Sequence, residues 1–395
     1  MIFYLLAGLI SAVVTFGLSA LIWKLGMRYR LYPKIRARDV HTRPTPRLGG
    51  IAMFIGMLVA FLFASRVSYF NLVFADPGPV LAILGAAVII VFIGVADDIW
   101  ELDWMTKLAG QIIAAGLLAW KGVQLTSLPS PFGGLTVGSP YMSLIFSLLA
   151  VVLVMNAVNW IDGLDGLVVG VAIIANFTFF VYSYILAKVG GQTEYFNLAS
   201  LITAVLIGAC IGFLPLNWHP AKLFMGDAGS MLLGLLMAAS AISVTGSIQP
   251  GSLSPSQLFP AFIPIVLPLA ILLVPLLDFA LAVGRRLRAG ISPWAADRKH
   301  LHHHLLDIGH SHFRAVLVFY SWTAVVSLGC LLFMFIPMGW VLAFIAVGLL
   351  FCTWFTLIPL TRRRLAAARP GTARPETAGP KTSGPKTPEP KKGTP

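Results

Sequence analysis

PVLAILGAAVIIVFIGVADDIWELDWMTKLAG, from Pro79 to Gly110, decides how the rest of the chain is read. Pro79 to Ala96 carries no charge, and an apolar run of about that length crosses the hydrocarbon core of a bilayer as a helix. Two adjacent carboxylates, Asp97 and Asp98, end it, and a second apolar run opens near residue 105. The stretch therefore reads as a membrane span, a polar turn and a returning span.

The same pattern repeats along the chain. Hydropathy predicts eleven spans, roughly 2–23, 48–64, 79–96, 105–120, 142–158, 166–187, 196–214, 229–247, 257–283, 316–336 and 339–360. The expected fold class is all-α, a polytopic integral membrane protein. The first run, Ile2 to Trp23, is a retained span rather than a signal peptide, because its basic cluster follows the apolar segment. Of 395 residues, 58% are hydrophobic and 11% charged, where a soluble domain carries about a quarter charged residues. The net charge of +13 reads as loop charge against anionic lipid and not as a nucleic-acid surface. With the N-terminus outside, all but three of the 28 Lys and Arg residues (Arg66, Lys121 and Lys188) fall on the cytoplasmic side. The C-terminus is then cytoplasmic as well.

Cys210, Cys330 and Cys352 lie in apolar segments without CxxC spacing and read as small hydrophobes. A transmembrane domain is expected over 1–361. Residues 362–395, rich in Pro, Thr, Gly and Lys, lack the apolar residues needed for a core and read as a disordered basic tail. Segments 121–141 and 248–256 read as connecting loops.

The few acids and histidines gather at span ends. Asp97, Asp98, Glu101, Asp103, Asp162, Asp165 and Asp227, with Asp39, lie in or beside the loops assigned to the cytoplasm, and six of eight histidines lie between His300 and His312. Ionisable groups at membrane depth are costly and usually functional. An isolated Asp-Asp is as often a solvated helix end, but paired carboxylates repel unless a cation lies between them. Lys107, nine residues beyond Asp98, is a candidate phosphate partner.

In NAVNWIDGLDG, Asn156, Asn159, Asp162 and Asp165 recur every three residues, so helical turns would place them on one face. Gly163 and Gly166 imply that the helix breaks within the motif. Such donors and acceptors suit a nucleobase or ribose; an Asx-rich turn explains either Asp alone but not all four. In NWHPAKLFMGDAGS, Asp227 opens a span, where freed amides favour anions and a carboxylate can hold Mg²⁺. A lone Gly-Asp turn is common, so this motif counts only with the others. SPWAADRKHLHHHLLDIGHSH, from Ser292, lacks zinc-type spacing and, with Arg298 and Lys299, reads as a phosphate-contact loop rather than a solvated His run.

Taken together in this order, these segments resemble the polyprenyl-phosphate N-acetylhexosamine-1-phosphate transferase family, nearest its bacterial undecaprenyl-phosphate GlcNAc-1-phosphate transferases. HTRPTPRLGG from His41 and PLLDFALAVGRR from Pro275 extend the resemblance to about residue 360. It implies a Mg²⁺-dependent enzyme, with Mn²⁺ an alternative, at the cytoplasmic face of the plasma or inner membrane. The implied reaction moves GlcNAc-1-phosphate from UDP-GlcNAc to undecaprenyl phosphate and releases UMP. By resemblance, Asp227 and Asp98 are the metal ligands and Asp97 serves the acceptor phosphate. Asn159, Asp162 and Asn217 face the uridine, with Asp162 also counted as catalytic and Phe224 a stacking face no better favoured than ordinary packing. His300, His302 and His303 contact the donor. Asn156, Asp165, Lys107, Arg298, Thr45 and His41 complete the expected binding set. His304 stands where relatives usually carry Arg and gives a triple histidine like that of the phospho-MurNAc-pentapeptide translocases.

Two other readings compete. One is the same chemistry with UDP-MurNAc-pentapeptide, UDP-GalNAc or a deoxy-sugar donor. The other is a multi-span transporter, but transporters keep their charges inside the spans and often show inverted repeats. A homodimer is compatible with the sequence.

Overall fold

The computed structural model describes residues 1–32, 44–125, 127–129, 135–137, 139–189, 194–245, 284, 287–288, 290, 305–307 and 309–367. Its longer helices are α1 (Ile2–Arg28), α2 (Gly49–Ala64), α3 (Pro77–Trp100), α4 (Trp104–Trp120), α5 (Pro140–Ile161), α6 (Leu167–Val189), α7 (Glu194–Asn217), α8 (Gly226–Thr245), α9 (His312–Leu332) and α10 (Met338–Ala367). All but α2 and α4 are long and apolar enough to cross a membrane. The expected polytopic helical class holds, and ten of the predicted spans coincide with these helices. The remaining one, 257–283, lies outside the described residues. So does most of the expected tail; α10 itself continues through the arginine triplet to Ala367.

Local chemistry sets the boundaries. Asp76 caps α3 by accepting from Gly78 N–H at 2.9 Å, with Pro77 in the first turn where its missing N–H costs nothing. At the other end Glu101 turns the chain with φ 53°. Asp103 then accepts from Thr106 N–H at 3.1 Å and starts α4, so this acid is a helix cap. Ser139 and Pro140 open α5 in the same way. Within the loop read at 121–141, β1 (Ser127–Pro129) pairs antiparallel with β2 (Leu135–Val137), Ser127 opposite Val137.

At the centre runs α8, buried from Ala228 to Thr245 and packed by α2, α3, α5 and α7. Between helices in lipid, close packing replaces the hydrophobic effect, and small residues make it possible. A Cβ on Gly94 would strike the backbone of Ala228, one on Gly50 the backbone of Gly229, and one on Gly234 the backbone of Met155. At the end away from the acids, Tyr4 Oη donates to Asn197 Oδ1 at 2.9 Å inside a group of rings from Tyr69, Phe70, Phe180 and Tyr184. That end ties α1 to α6 and α7. By contrast, α10 leans on α9 and buries only 11% of its span among the described residues. The three cysteines are buried and free, as the sequence suggested.

Candidate active site

The end of the bundle opposite Tyr4 gathers the C-termini of α3, α5 and α7 with the N-termini of α4, α6, α8 and α9. Residues from these ends build the site. Lys107 Nζ lies 2.5 Å from Asp97 Oδ2 and 3.0 Å from Asp227 Oδ2, joining the DD motif to a carboxylate 120 residues beyond the lysine in sequence. Asp227 N–H donates to Asp98 Oδ1 at 3.2 Å. Two carboxylates thus meet at one lysine, and a third is tied to them through the Asp227 backbone.

The backbone at Gly226 makes this approach possible. Its φ is +69°, and a Cβ there would run into Asp98 Oδ2 and the carbonyl of Arg47. Only glycine combines that left-handed backbone with that contact. The first loop is strapped to the same turn: Phe224 N–H donates to Pro46 O, Gly49 N–H to Phe224 O and Gly50 N–H to Met225 O, each at 2.9 Å. Thr45 is buried beside this strap. Phe224 is held by its backbone on both sides with its ring partly covered.

The four-residue set from Asn156 to Asp165 divides once folded. As the glycines implied, α5 ends at Ile161, with Asp162 at its cap. Asn156 Nδ2 donates to Gln111 Oε1 at 2.6 Å and to Val152 O at 2.8 Å, an inter-helix amide pair between α4 and α5. Asn159 Nδ2 donates to Ser230 Oγ at 2.9 Å, and its amide also reaches the Asp227 carboxylate. Asp162 stands next to the acidic cluster. Burial, then the negative charge of Asp227, push its carboxyl up to about 7, and Arg47 opposes the rise. Asp165 points elsewhere: Oδ2 meets His219 Nδ1 at 2.7 Å and accepts from Ala221 N–H at 3.0 Å. Asn217 braces the backbone, accepting from Gly166 N–H at 3.0 Å and donating to Leu223 O at 3.1 Å.

The start of α9 closes this side. Tyr320 Oη donates to Gly166 O at 2.5 Å, Phe313 meets Trp218 edge-on, and the His219 and His312 rings stack with centroids 4.1 Å apart. His41, Arg298, His300, His302 and His303 lie outside the described residues.

Sequence reasoning passed over several participants. Arg47 lies in the quoted HTRPTPRLGG stretch, and its charge acts on Asp162. Gln111 follows Lys107 by one helical turn as a lone amide in an apolar run, which is a usable signal. Ser230 and His312 fell within the quoted stretches without being singled out, and Tyr320 gave no signal.

A divalent cation fits the carboxylate cluster. Lys107 supplies positive charge to Asp97 and Asp227, Arg47 acts on Asp98, and Asp98 Oδ2 is buried with no hydrogen-bond partner among the described residues. Oxygen-only donors of this kind suit a hard cation.

Comparison with known proteins places the chain in a family. A model of glycosyl transferase family 4 matches residues 80–245, the stretch from α3 through α8. A decaprenyl-phosphate N-acetylglucosaminephosphotransferase of Mycolicibacterium smegmatis is 41% identical over 360 residues, covering 91% of this chain and 89% of the relative. A probable undecaprenyl-phosphate N-acetylglucosaminyl 1-phosphate transferase of Bacillus subtilis is 32% identical over 320 residues, 81% of this chain and 82% of the relative. A phospho-N-acetylmuramoyl-pentapeptide-transferase of M. smegmatis is 30% identical over 361 residues, 82% of this chain and 94% of the relative. With the family model lying over the acidic site and relatives matched along nearly their whole length, the chain belongs to glycosyl transferase family 4.

Proposed function

We propose that the protein transfers GlcNAc-1-phosphate from UDP-GlcNAc to undecaprenyl phosphate at the cytoplasmic face of the plasma or inner membrane. The observation that carries this reading is the junction of Asp97, Asp98 and Asp227 around Lys107 at one end of a membrane bundle. A lipid phosphate confined to a leaflet and a soluble nucleotide-sugar repel one another, so a catalyst must neutralise both at the membrane surface. In the reaction, an oxygen of the lipid phosphate attacks the sugar-bearing phosphorus of the donor. The bond from that phosphorus to the bridging oxygen breaks, UMP leaves, and a lipid-linked diphosphate sugar remains. A polyprenyl phosphate is ionised at neutral pH and attacks directly, without a covalent enzyme intermediate.

Asp227 and Asp98 would hold Mg²⁺, or Mn²⁺ in its place, which when bound neutralises phosphate charge. Lys107 presents its ammonium to the acceptor phosphate from between Asp97 and Asp227, and Asp97 orients it. Asn159, Asp162 and Phe224 line the uridine side. Asn217 and Asn156 serve this side indirectly, Asn217 by bracing the loop that carries Asp165 and Asn156 by joining α5 to α4 through Gln111. Thr45 and His41 belong to the first loop, and Arg298, His300, His302 and His303 to the loop that meets the donor phosphates.

The 41% identity to a decaprenyl-phosphate enzyme favours a second reading of the acceptor, decaprenyl phosphate with the same chemistry. Membranes carrying the protein, each polyprenyl phosphate, Mg²⁺ and sugar-labelled UDP-GlcNAc test both readings together. The expected result is a labelled lipid with release of UMP. Release of UDP would mean that the sugar alone had moved and would overturn the reaction. Labelling only from UDP-MurNAc-pentapeptide would keep the chemistry and change the donor.

A further inference from the structure

Outside the carboxylate cluster, three side chains from three separate segments converge. Asp165 follows α5, His219 lies between α7 and α8, and His312 opens α9. Each offers one ligand atom, and these atoms all lie within 4.8 Å of one another. We infer that Asp165, His219 and His312 form a binding site for a borderline transition-metal dication of the Zn²⁺ class, separate from the oxygen-only cluster at Asp227.

The donor set argues for that class. Two imidazoles and one carboxylate match the ligands of open Zn²⁺ sites, and imidazole favours Zn²⁺, Cu²⁺ or Ni²⁺ over Mg²⁺. In the structure a hydrogen bond of 2.7 Å joins His219 Nδ1 to Asp165 Oδ2. A metal takes the place of the proton in such a bond, so capture releases protons. Tetrahedral ligands about 2.0–2.1 Å from an ion stand roughly 3.3 Å from each other, so the contact opens slightly on binding. His219 has the freedom to do this, because its side chain is 49% exposed while that of Asp165 is 3% exposed. Asp165 stays put, since Ala221 N–H holds the same oxygen at 3.0 Å. This is the kind of backing that orients metal ligands. The His219 and His312 rings already overlap at 4.1 Å and 17°, so capture requires the exposed ring to swing about its stem while His312 keeps its place.

Binding would tie the start of α9 to the α5–α6 and α7–α8 loops. Metal binding is read directly, so the test does not depend on which sugar or lipid the enzyme uses. The full chain, purified without a polyhistidine tag and stripped of metal by chelation, is titrated with Zn²⁺ against a chromophoric chelator. The same titration is run on His219→Gln, His312→Gln and Asp227→Asn. Wild type and Asp227→Asn are expected to bind one equivalent that both histidine variants bind at least about 100-fold more weakly, beyond the loss from removing an outer-shell partner. Co²⁺ in the same site should give visible absorption bands that the histidine variants lack. Zn²⁺ should raise the melting temperature of wild type and of Asp227→Asn, but not of the two histidine variants. His219 is exposed, so His219→Gln reports on binding even if His312→Gln fails to fold. Identical Zn²⁺ titrations for wild type and His219→Gln would overturn the site. So would loss of the equivalent only in Asp227→Asn, which would place the ion in the carboxylate cluster.

Discussion

Replacing Lys107 with Gln removes the cation that bridges Asp97 and Asp227 and leaves a neutral polar side chain one atom shorter. Lys107 Nζ lies 2.5 Å from Asp97 Oδ2 and 3.0 Å from Asp227 Oδ2. Unit charges about 3–4 Å apart interact by roughly 4–5.5 kcal/mol at an effective dielectric of about 20. Lys107 and Asp227 each keep 28% side-chain exposure, so returning water offsets part of that. The remaining effect on the transition state should be about 2.7–4 kcal/mol, or about 10²–10³-fold in kcat/KM, typical of losing one preorganised charge-stabilising group. The metal should respond in the opposite direction. Without the lysine the carboxylates are more negative, so half-saturating Mg²⁺ should stay the same or fall while the rate collapses. Labelled-donor turnover across a Mg²⁺ series, with the protein in membranes, reads both quantities. Near-normal kcat/KM would refute the role of Lys107. A parallel rise in the Mg²⁺ requirement would show that the lysine supports the metal instead of the phosphate.

Other perturbations separate the remaining groups. Asp227→Asn should abolish turnover and blunt the Mg²⁺ dependence while leaving the protein inserted; near wild-type rates at low Mg²⁺ would remove Asp227 from the metal site. Gly226→Ala forces a Cβ against Asp98 and Arg47 at φ +69°, so it should destabilise the fold by about 1–3 kcal/mol, seen as a lower melting temperature; an unchanged melt would show that the loop relaxes freely. The Asp162 carboxyl sits at about 7, above its unfolded value, so the native state holds more protons than the unfolded one in the intervening range. That group therefore costs stability as pH rises from about 4 to 7 and no further above it. Melting curves in chelator should show the stability gap in favour of Asp162→Asn widening up to pH 7 and then levelling; a constant gap would contradict the shift.

The membrane class, ten of the helix positions and the gathering of the acidic residues at one end of the bundle all followed from the sequence, because hydropathy and charge are local properties. Pro79 to Ala96 has to span wherever its neighbours lie, and Asp97 and Asp98 have to sit at its end. The break of α5 at Asp162 followed in the same way from two glycines. Partner choice was of a different kind. The amide of Asn156 would serve a nucleobase as well as it serves Gln111, and Asn217 would serve a ribose as well as the backbone at Gly166 and Leu223. The donor and acceptor chemistry of an amide is the same in either role, so only proximity distinguishes a ligand contact from a brace. Proximity here is set by helices far apart in the chain: Lys107 reaches Asp227 across the turn at Gly226, and Asp165 reaches His219 and His312 because α9 docks its first turn on the α5–α6 loop. Close packing along the small residues of α8 brings those ends to one place, and no local pattern specifies which side chains meet there.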